Sequence, residues 1–284
     1  PLEAFLSVRF NKKVKTKPMT DRWNNWVFGV GARGNLEGEE LSKNGTFSVS
    51  LWGNRTTEAW KFKFWLNYRY RRNSYEVDEE TVVSDSTRRI LYSQLVKSLG
   101  PHWSIGMTTK AESNTYENSD LSFNLSPAIE YNLFPYSRST RRQLRFIYKI
   151  GYNYNDYIEE TIFDKMSEHL FSQSLSAVFA MKEPWGMIAA ELMGSHYFHD
   201  FKKNKIELAI EFDINVFKGL SFNIFSSFSK VADQITLPKG EASLDEVLLQ
   251  LKQLETGFRY EISFGFRFRF GSIYSNIVNP RFGN

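Results

Sequence analysis

The sequence predicts an all-β protein, a transmembrane antiparallel up-and-down β-barrel of about 12 strands. Three observations carry this. Nearly every segment alternates apolar and polar residues at period two, the repeat of a strand whose two faces meet different media. Aromatic residues make up 16% of the chain while mean hydropathy is only -0.42, so large apolar rings sit beside an equally abundant polar set. No stretch approaches the roughly 18 consecutive apolar residues of a membrane-spanning helix, so a bilayer crossing would be made with strands.

Residues 1–21 are expected to form a periplasmic N-terminal segment. Ala4–Phe10 alternates briefly, Lys12–Lys17 is basic, and the start at Pro1 without an initiator Met or a signal peptide reads as the tail of an upstream region. Residues 22–272 are expected to be the barrel, and 273–284 a periplasmic tail.

Trp26–Asn35 and Phe47–Asn54 are the first two strands. In the GVGARG stretch near Gly29 no helix follows, so it is not a dinucleotide fingerprint; its glycines leave room on a luminal face for bulky neighbours. The third strand sets Phe62, Phe64, Leu66, Tyr68 and Tyr70 against Lys61, Lys63, Trp65, Asn67, Arg69 and Arg71. Arg88–Leu99 and Trp103–Ser113 follow. Leu121–Leu133 alternates through Pro127, which removes a ladder hydrogen bond and predicts a local bulge or kink.

Leu144–Asn155 places Arg145, Lys149 and Asn153 opposite Phe146, Tyr148 and Tyr152. Phe171–Met181 and Met187–Tyr197 come next. Lys205–Val216 is the clearest strand, with Ile206, Leu208, Ile210, Phe212 and Ile214 alternating with Lys205, Glu207, Ala209, Glu211 and Asp213. Leu220–Ser229 precedes the last strand, in which Phe258, Tyr260, Ile262, Phe264, Phe266, Phe268 and Phe270 face away from Arg259, Glu261, Ser263, Gly265, Arg267 and Arg269. Such runs match the roughly nine to eleven residues a tilted strand needs to cross a bilayer, whereas soluble strands usually stop at about five or six.

Connections alternate in length. Tight ones fall at Asn54–Ala59, Leu99–His102, Lys182–Trp185 and Phe217–Leu220, and the expected outward loops are Tyr75–Asp85, Ile158–Glu168, Asp200–Asn204 and Val231–Glu255. Tight turns face the periplasm in such barrels, which puts both termini there. In the longest loop, Ser243 and Glu246 form a capping box, and Leu244, Val247, Leu248, Leu251 and Leu254 follow a helical period, predicting a short amphipathic helix. Trp23, Trp26, Trp60, Trp103, Trp185, Tyr92 and Tyr157 are expected in an interfacial aromatic girdle.

The luminal charges carry both signs: Lys61, Lys63, Arg69, Arg71, Arg145 and Lys149, with Glu207, Glu211, Asp213, Arg259, Glu261, Arg267 and Arg269. In a barrel of about 12 strands these are close enough to meet, and a salt-bridged network filling the lumen is the expectation. A pore would rather show a single-sign ring at a constriction.

The chain offers no catalytic residues, metal site or cofactor. There are no cysteines, no GxSxG, Walker or HExxH motif, and only His102, His169, His196 and His199 as histidines. His196 and His199 three apart on a strand point to opposite faces, which suits a zinc site poorly. A net charge of +4 from well-mixed residues gives no reason to expect nucleic acid.

HWSIG (102–106), PAIEYNLFPYSRSTRRQL (127–144), EPWG (183–186), DQITLPKGEASLDEVLLQLKQL (233–254) and FGSIYSNIVNPRF (270–282) resemble uncharacterised outer-membrane barrels of Bacteroidota over nearly the whole chain. A more distant similarity is to salt-induced outer-membrane proteins of unknown function. The resemblance implies a Gram-negative outer-membrane location and a periplasmic region ahead of the barrel, and it transfers no catalytic residue.

Two functions follow as expectations. The first is a structural or accessory subunit of a larger outer-membrane complex, including assembly or export machinery, in contact with outer-membrane lipid, lipopolysaccharide and other envelope proteins. The second is a narrow channel or transporter for small polar solutes. A lipid-directed enzyme is a third class, resting on fold analogy alone.

Overall fold

A computed structural model describes residues 21–77, 80–217, 219–240 and 255–271. The chain forms twelve strands: β1 (Trp26–Gly38), β2 (Ser42–Thr56), β3 (Trp60–Val77), β4 (Glu80–Ser98), β5 (Trp103–Asn114), β6 (Ser119–Asn132), β7 (Arg142–Tyr157), β8 (Ser167–Glu183), β9 (Gly186–Tyr197), β10 (Asn204–Phe217), β11 (Leu220–Val231) and β12 (Phe258–Phe268). They lie in one antiparallel sheet in strict chain order, the up-and-down topology the alternation predicts. Strand lengths run from 11 to 19 residues, enough to cross a bilayer on a slant.

Burial is inverted relative to a water-soluble protein. Among the described residues the buried set holds twelve polar side chains, such as Glu112, Asn132 and Asn155, against eight apolar ones, while Val30 and Phe264 are 78% and 81% exposed. Apolar rings therefore line the outside and polar groups the inside, the arrangement that hydrocarbon imposes on a barrel wall.

The sheet is curled. Asn118, just after β5, donates from Nδ2 to the carbonyl of Thr236, just after β11, at 3.0 Å. Ile162 N, after β7, donates to Leu237 O at 2.9 Å. Segments four and six strands apart touch only when the sheet bends round on itself. Among the described residues no ladder joins β1 to β12, which leaves their two edges as the seam of the wall.

Three expectations need correction. Tyr75–Asp85 is not a loop: Arg72 to Val77 pair in register with Asp85 to Glu80, so the β3–β4 hairpin projects several residues past the length a bilayer requires. Paired β-branched and polar residues extended the ladder where acidity alone suggested a loop. Pro127 makes no bulge, because register continues unshifted from Leu125↔Tyr152 to Ala128↔Lys149. The chain interrupts the ladder there instead of slipping, and the irregularities fall at Glu112/Asn114, Ser119/Leu121 and Asn215/Phe217.

The third correction concerns the girdle. Tyr92 lies in mid-strand on the luminal face between Trp65 and Lys110, and Tyr157 is buried at the end of β7. Period two, which fixed their strands, also fixes these two on the inside. A girdle does form on the outer face at the tight-turn end, where Trp26 stacks on Phe28 at 5.2 Å, Trp103 meets Tyr131 at 4.7 Å, and Lys97 sits over Trp60 at 5.4 Å. The amphipathic helix at Leu244, Val247, Leu248 and Leu251, the N-terminal segment and the C-terminal tail lie outside the described residues.

Candidate functional site: a charged lumen

The luminal face is fixed by register. Lys61, Lys63, Trp65, Asn67, Arg69 and Arg71 of β3 pair with Val96, Gln94, Tyr92, Ile90, Arg88 and Ser86 of β4. Glu207, Ala209, Glu211 and Asp213 of β10 pair with Met193, Glu191, Ala189 and Met187 of β9, and with Ser229, Ser227, Phe225 and Asn223 of β11. Arg259, Glu261 and Arg267 of β12 continue the same face, whereas Arg269 stands one residue beyond β12, its N–H donating to Gly219 O at 2.7 Å.

The charges are segregated by sign. The first seven strands carry Arg33, Lys61, Lys63, Arg69, Arg71, Arg88, Lys110, Arg145 and Lys149, relieved by Glu37, Glu112 and Glu130. The wall of β9 and β10 carries Glu191, Glu207, Glu211 and Asp213, relieved by Lys205. A spread of both signs along the sequence thus becomes two walls of opposite sign in the sheet.

Four ion pairs face the lumen among the described residues. Glu112 takes Arg88 at 2.6 Å and also Lys110; Glu130 takes Arg145 at 3.5 Å; Glu207 takes Lys205 at 2.8 Å. None joins two of the thirteen charges singled out from the sequence. Of the partners, Arg88, Glu112 and Lys110 were missed because the alternation in β4 and β5 is broken by small or mixed residues, whereas Glu130 and Lys205 stand on the polar face of clearly alternating strands and were left out of the network only because alternation does not show which charges meet.

The tight-turn end is partly closed. A 3-10 turn at Tyr136–Arg138 carries Tyr136 inward, where its hydroxyl donates to Glu130 Oε1 at 2.8 Å and lies 2.9 Å from Ser104 Oγ. Burial, with the Glu130 carboxylate alongside, pushes the Tyr136 phenol above its usual range, so it stays a donor. Lys61, Glu130, Tyr136 and Arg145 line a single cavity there.

At the opposite end the segment after β11 straps across the mouth. Asn118 accepts from Glu159 N at 2.7 Å while donating to Glu159 O and Thr236 O, and Thr161, fully buried, bridges to Pro238. Lys239 pairs with Asp164 and, at 3.5 Å, with Glu160.

The histidines are spread over the wall. His196 lies 2.7 Å from Gln173 Nε2 and His169 2.8 Å from the Tyr152 hydroxyl, both on the outer face, and His102 Nδ1 contacts Asn132 O at 2.8 Å in the tight-turn end.

Inverted burial, long strands in chain order and a charged interior define a β-barrel of the transmembrane, outer-membrane type. No family model matches the chain, and no curated protein matches it. Among solved structures it is similar to the NanC porin in a rhombohedral crystal form, at 9% identity over 86% of this chain and 99% of that one, with a TM-score of 0.38.

Proposed function

We propose that this chain is a Gram-negative outer-membrane barrel providing a narrow aqueous path for small polar solutes, with the tight turns and both chain ends on the periplasmic side. The observation that supports this is the state of the luminal charges. No ion pair among the described residues includes Lys63, Arg69, Arg71, Glu211, Asp213 or Arg267. Charged groups left facing one another without contact need water around them, since removing a charge from water without a partner costs several kcal/mol or more. A wet lumen with walls of opposite sign can pass small polar solutes and sort them by charge. This reading assigns no catalysis, and it keeps the kinship with uncharacterised Bacteroidota barrels that the sequence suggests.

Reconstitution into planar bilayers tests it. Discrete conductance steps are expected, larger for Tyr136→Ala, which clears the tight-turn end; insertion without any step above background sinks the reading.

The accessory-subunit reading is favoured by a different observation, the seam. The outer face of β12 is highly exposed along Tyr260, Ile262, Phe264 and Phe266, and its far edge is unpaired with β1. A partner's strand or apolar surface could cover that edge. Purification from native membranes would reveal the partner, and a protein that runs only as a lone monomer counts against it.

A further inference from the structure

We infer that the lumen holds a binding site for a small, multiply charged oxyanion, built by Arg69, Arg71 and Arg88 near the end opposite the tight turns. The site goes beyond the channel reading and does not depend on it, because it needs only an accessible cavity. Arg69 and Arg88 are directly opposite each other on β3 and β4, both side chains on the luminal face, and Arg71 is the next luminal residue along β3. Like charges in opposed ladder positions repel, and a sheet under no other demand would not place them so.

Protein groups relieve this repulsion only in part. Glu112, the one acid among the described residues that pairs with the cluster, is shared between Arg88 and Lys110, so that trio already carries a net positive charge. The flanking positions are neutral: Ser48 and Thr46 on β2, Ser86 on β4. Glu117 lines the same cavity and offsets one charge. Arg69 and Arg71 have no hydrogen-bond or ion-pair partner among the described residues and are exposed. Counting Arg69, Arg71, Arg88 and Lys110 against Glu112 and Glu117 leaves an excess of two positive charges.

The cavity they line measures about 320 Å³, and its remaining walls are hydrogen-bonding groups such as Asn73, Ser86 and Asn114. That volume suits a solute the size of a diphosphate or a small polycarboxylate. Guanidinium forks meet the paired oxygens of such groups with two parallel hydrogen bonds each, which a monovalent ion like chloride cannot reciprocate.

Isothermal titration of the whole chain in detergent with inorganic pyrophosphate, at fixed ionic strength, tests the site without any need for conductance. A saturable isotherm is expected. Replacing both exposed arginines, R69Q with R71Q, should weaken it by about tenfold or more, the scale set by lost charge-assisted hydrogen bonds. R141Q with R142Q removes the same charge at the tight-turn end, where these arginines hold Glu183, and should leave binding within about twofold. Melting adds a second readout: without pyrophosphate the R69Q/R71Q protein should melt at or above the wild type, because repulsion is relieved, and pyrophosphate should no longer raise its midpoint.

No saturable heat with the wild type, equal binding by the R69Q/R71Q protein, or equal loss in the R141Q/R142Q control overturns the proposal. So does a lower melting point for R69Q/R71Q in anion-free buffer, since the arginines would then be holding the wall together. Conductance without pyrophosphate binding would leave the channel and remove the site; binding without conductance would do the reverse.

Discussion

Trp52 lays its indole over Gly29 on the neighbouring strand, so closely that a β-carbon at Gly29 would stand 2.5 Å from Trp52 Nε1. The two are directly paired on the luminal face of β1 and β2. Gly29→Val should therefore drive the indole off the wall and destabilise the barrel by about 1–3 kcal/mol, the usual cost of overpacking. Unfolding in urea from detergent micelles measures this. Because the clash is with one side chain, the same substitution in a Trp52→Ala background should cost less than half as much; an unchanged cost would mean that Gly29 is required by the backbone and not by the indole.

The strap over the mouth hangs on Asn118. Its side chain makes three hydrogen bonds, two to Glu159 and one to Thr236, and its own backbone is left-handed at φ 53°. Asn118→Ala loses all three bonds and puts a β-branch-free but non-glycine residue in a conformation alanine disfavours. Each bond is worth about 0.5–1.5 kcal/mol net. Amide exchange in Ile235 and Leu237, both buried within the strap, should speed up by about tenfold or more while exchange in β9 and β10 stays unchanged. Asn118→Gly relieves only the backbone, so it should exchange nearly as fast; protection restored by glycine would show that the hydrogen bonds contribute little.

The outer end of the strap is held by charge. Lys239, by hydrogen bond and proximity, holds the Asp164 carboxyl below its ordinary value of 3.8, and Asp164 in turn raises Lys239 above 10.5. A carboxyl depressed in the folded state contributes stability that is present above its unfolded value and lost as pH falls through the folded one. An ammonium raised in the folded state contributes below its unfolded value and loses it as pH rises through the folded one. Protease protection of the strap at Ala232–Lys239 should thus be level from about pH 4 to about pH 10 and decline outside that window. Both groups are exposed, so salt at about 1 M should also loosen the strap, and Asp164→Asn should abolish the acid limb. An acid limb that persists in Asp164→Asn would assign it to another carboxylate.

How far the molecule could be read from its sequence follows from what each pattern encodes. Alternation reports which residues share a face, and the register places Lys61 with Arg69, Glu207 with Glu211 and Asp213, and Arg259 with Arg267 on common faces. Alternation does not report which strands become opposite walls, and that is why mixed sign in the sequence turned into segregated sign in space. Contacts made by the ends of loops were illegible for the same reason: nothing local to Asn118 announces Thr236, a partner 118 positions away. Tyr136 was hidden because a short 3-10 turn has no periodicity to show its direction. Gly29 was legible in part, since a glycine inside a strand signals close approach, although Trp52 as the neighbour required the register.

The seam between β1 and β12 makes the sharpest demand on the wall. In hydrocarbon each unsatisfied backbone amide or carbonyl costs several kcal/mol, so an open edge of β1 (13 residues) facing one of β12 (11 residues) is untenable in a bilayer. Either the two edges pair with each other or another chain's strand lies between them. The chain contains no cysteine, so paired cysteines can be introduced on a clean background. Val30 and Ala32 on the outer face of β1, each combined with Ile262 or Phe264 on the outer face of β12, give four double-cysteine proteins that sample adjacent registers. If the wall closes on itself, at least one should form an intramolecular disulfide in membranes, because directly opposed strand residues bring Cα atoms to about 4.4–6.8 Å, the range a disulfide spans. It would appear as a monomer with faster migration that dithiothreitol reverses. Cross-links that form only to a different protein, with none within the chain in any of the four, would put that protein's strand in the seam and favour the accessory reading over the self-contained channel.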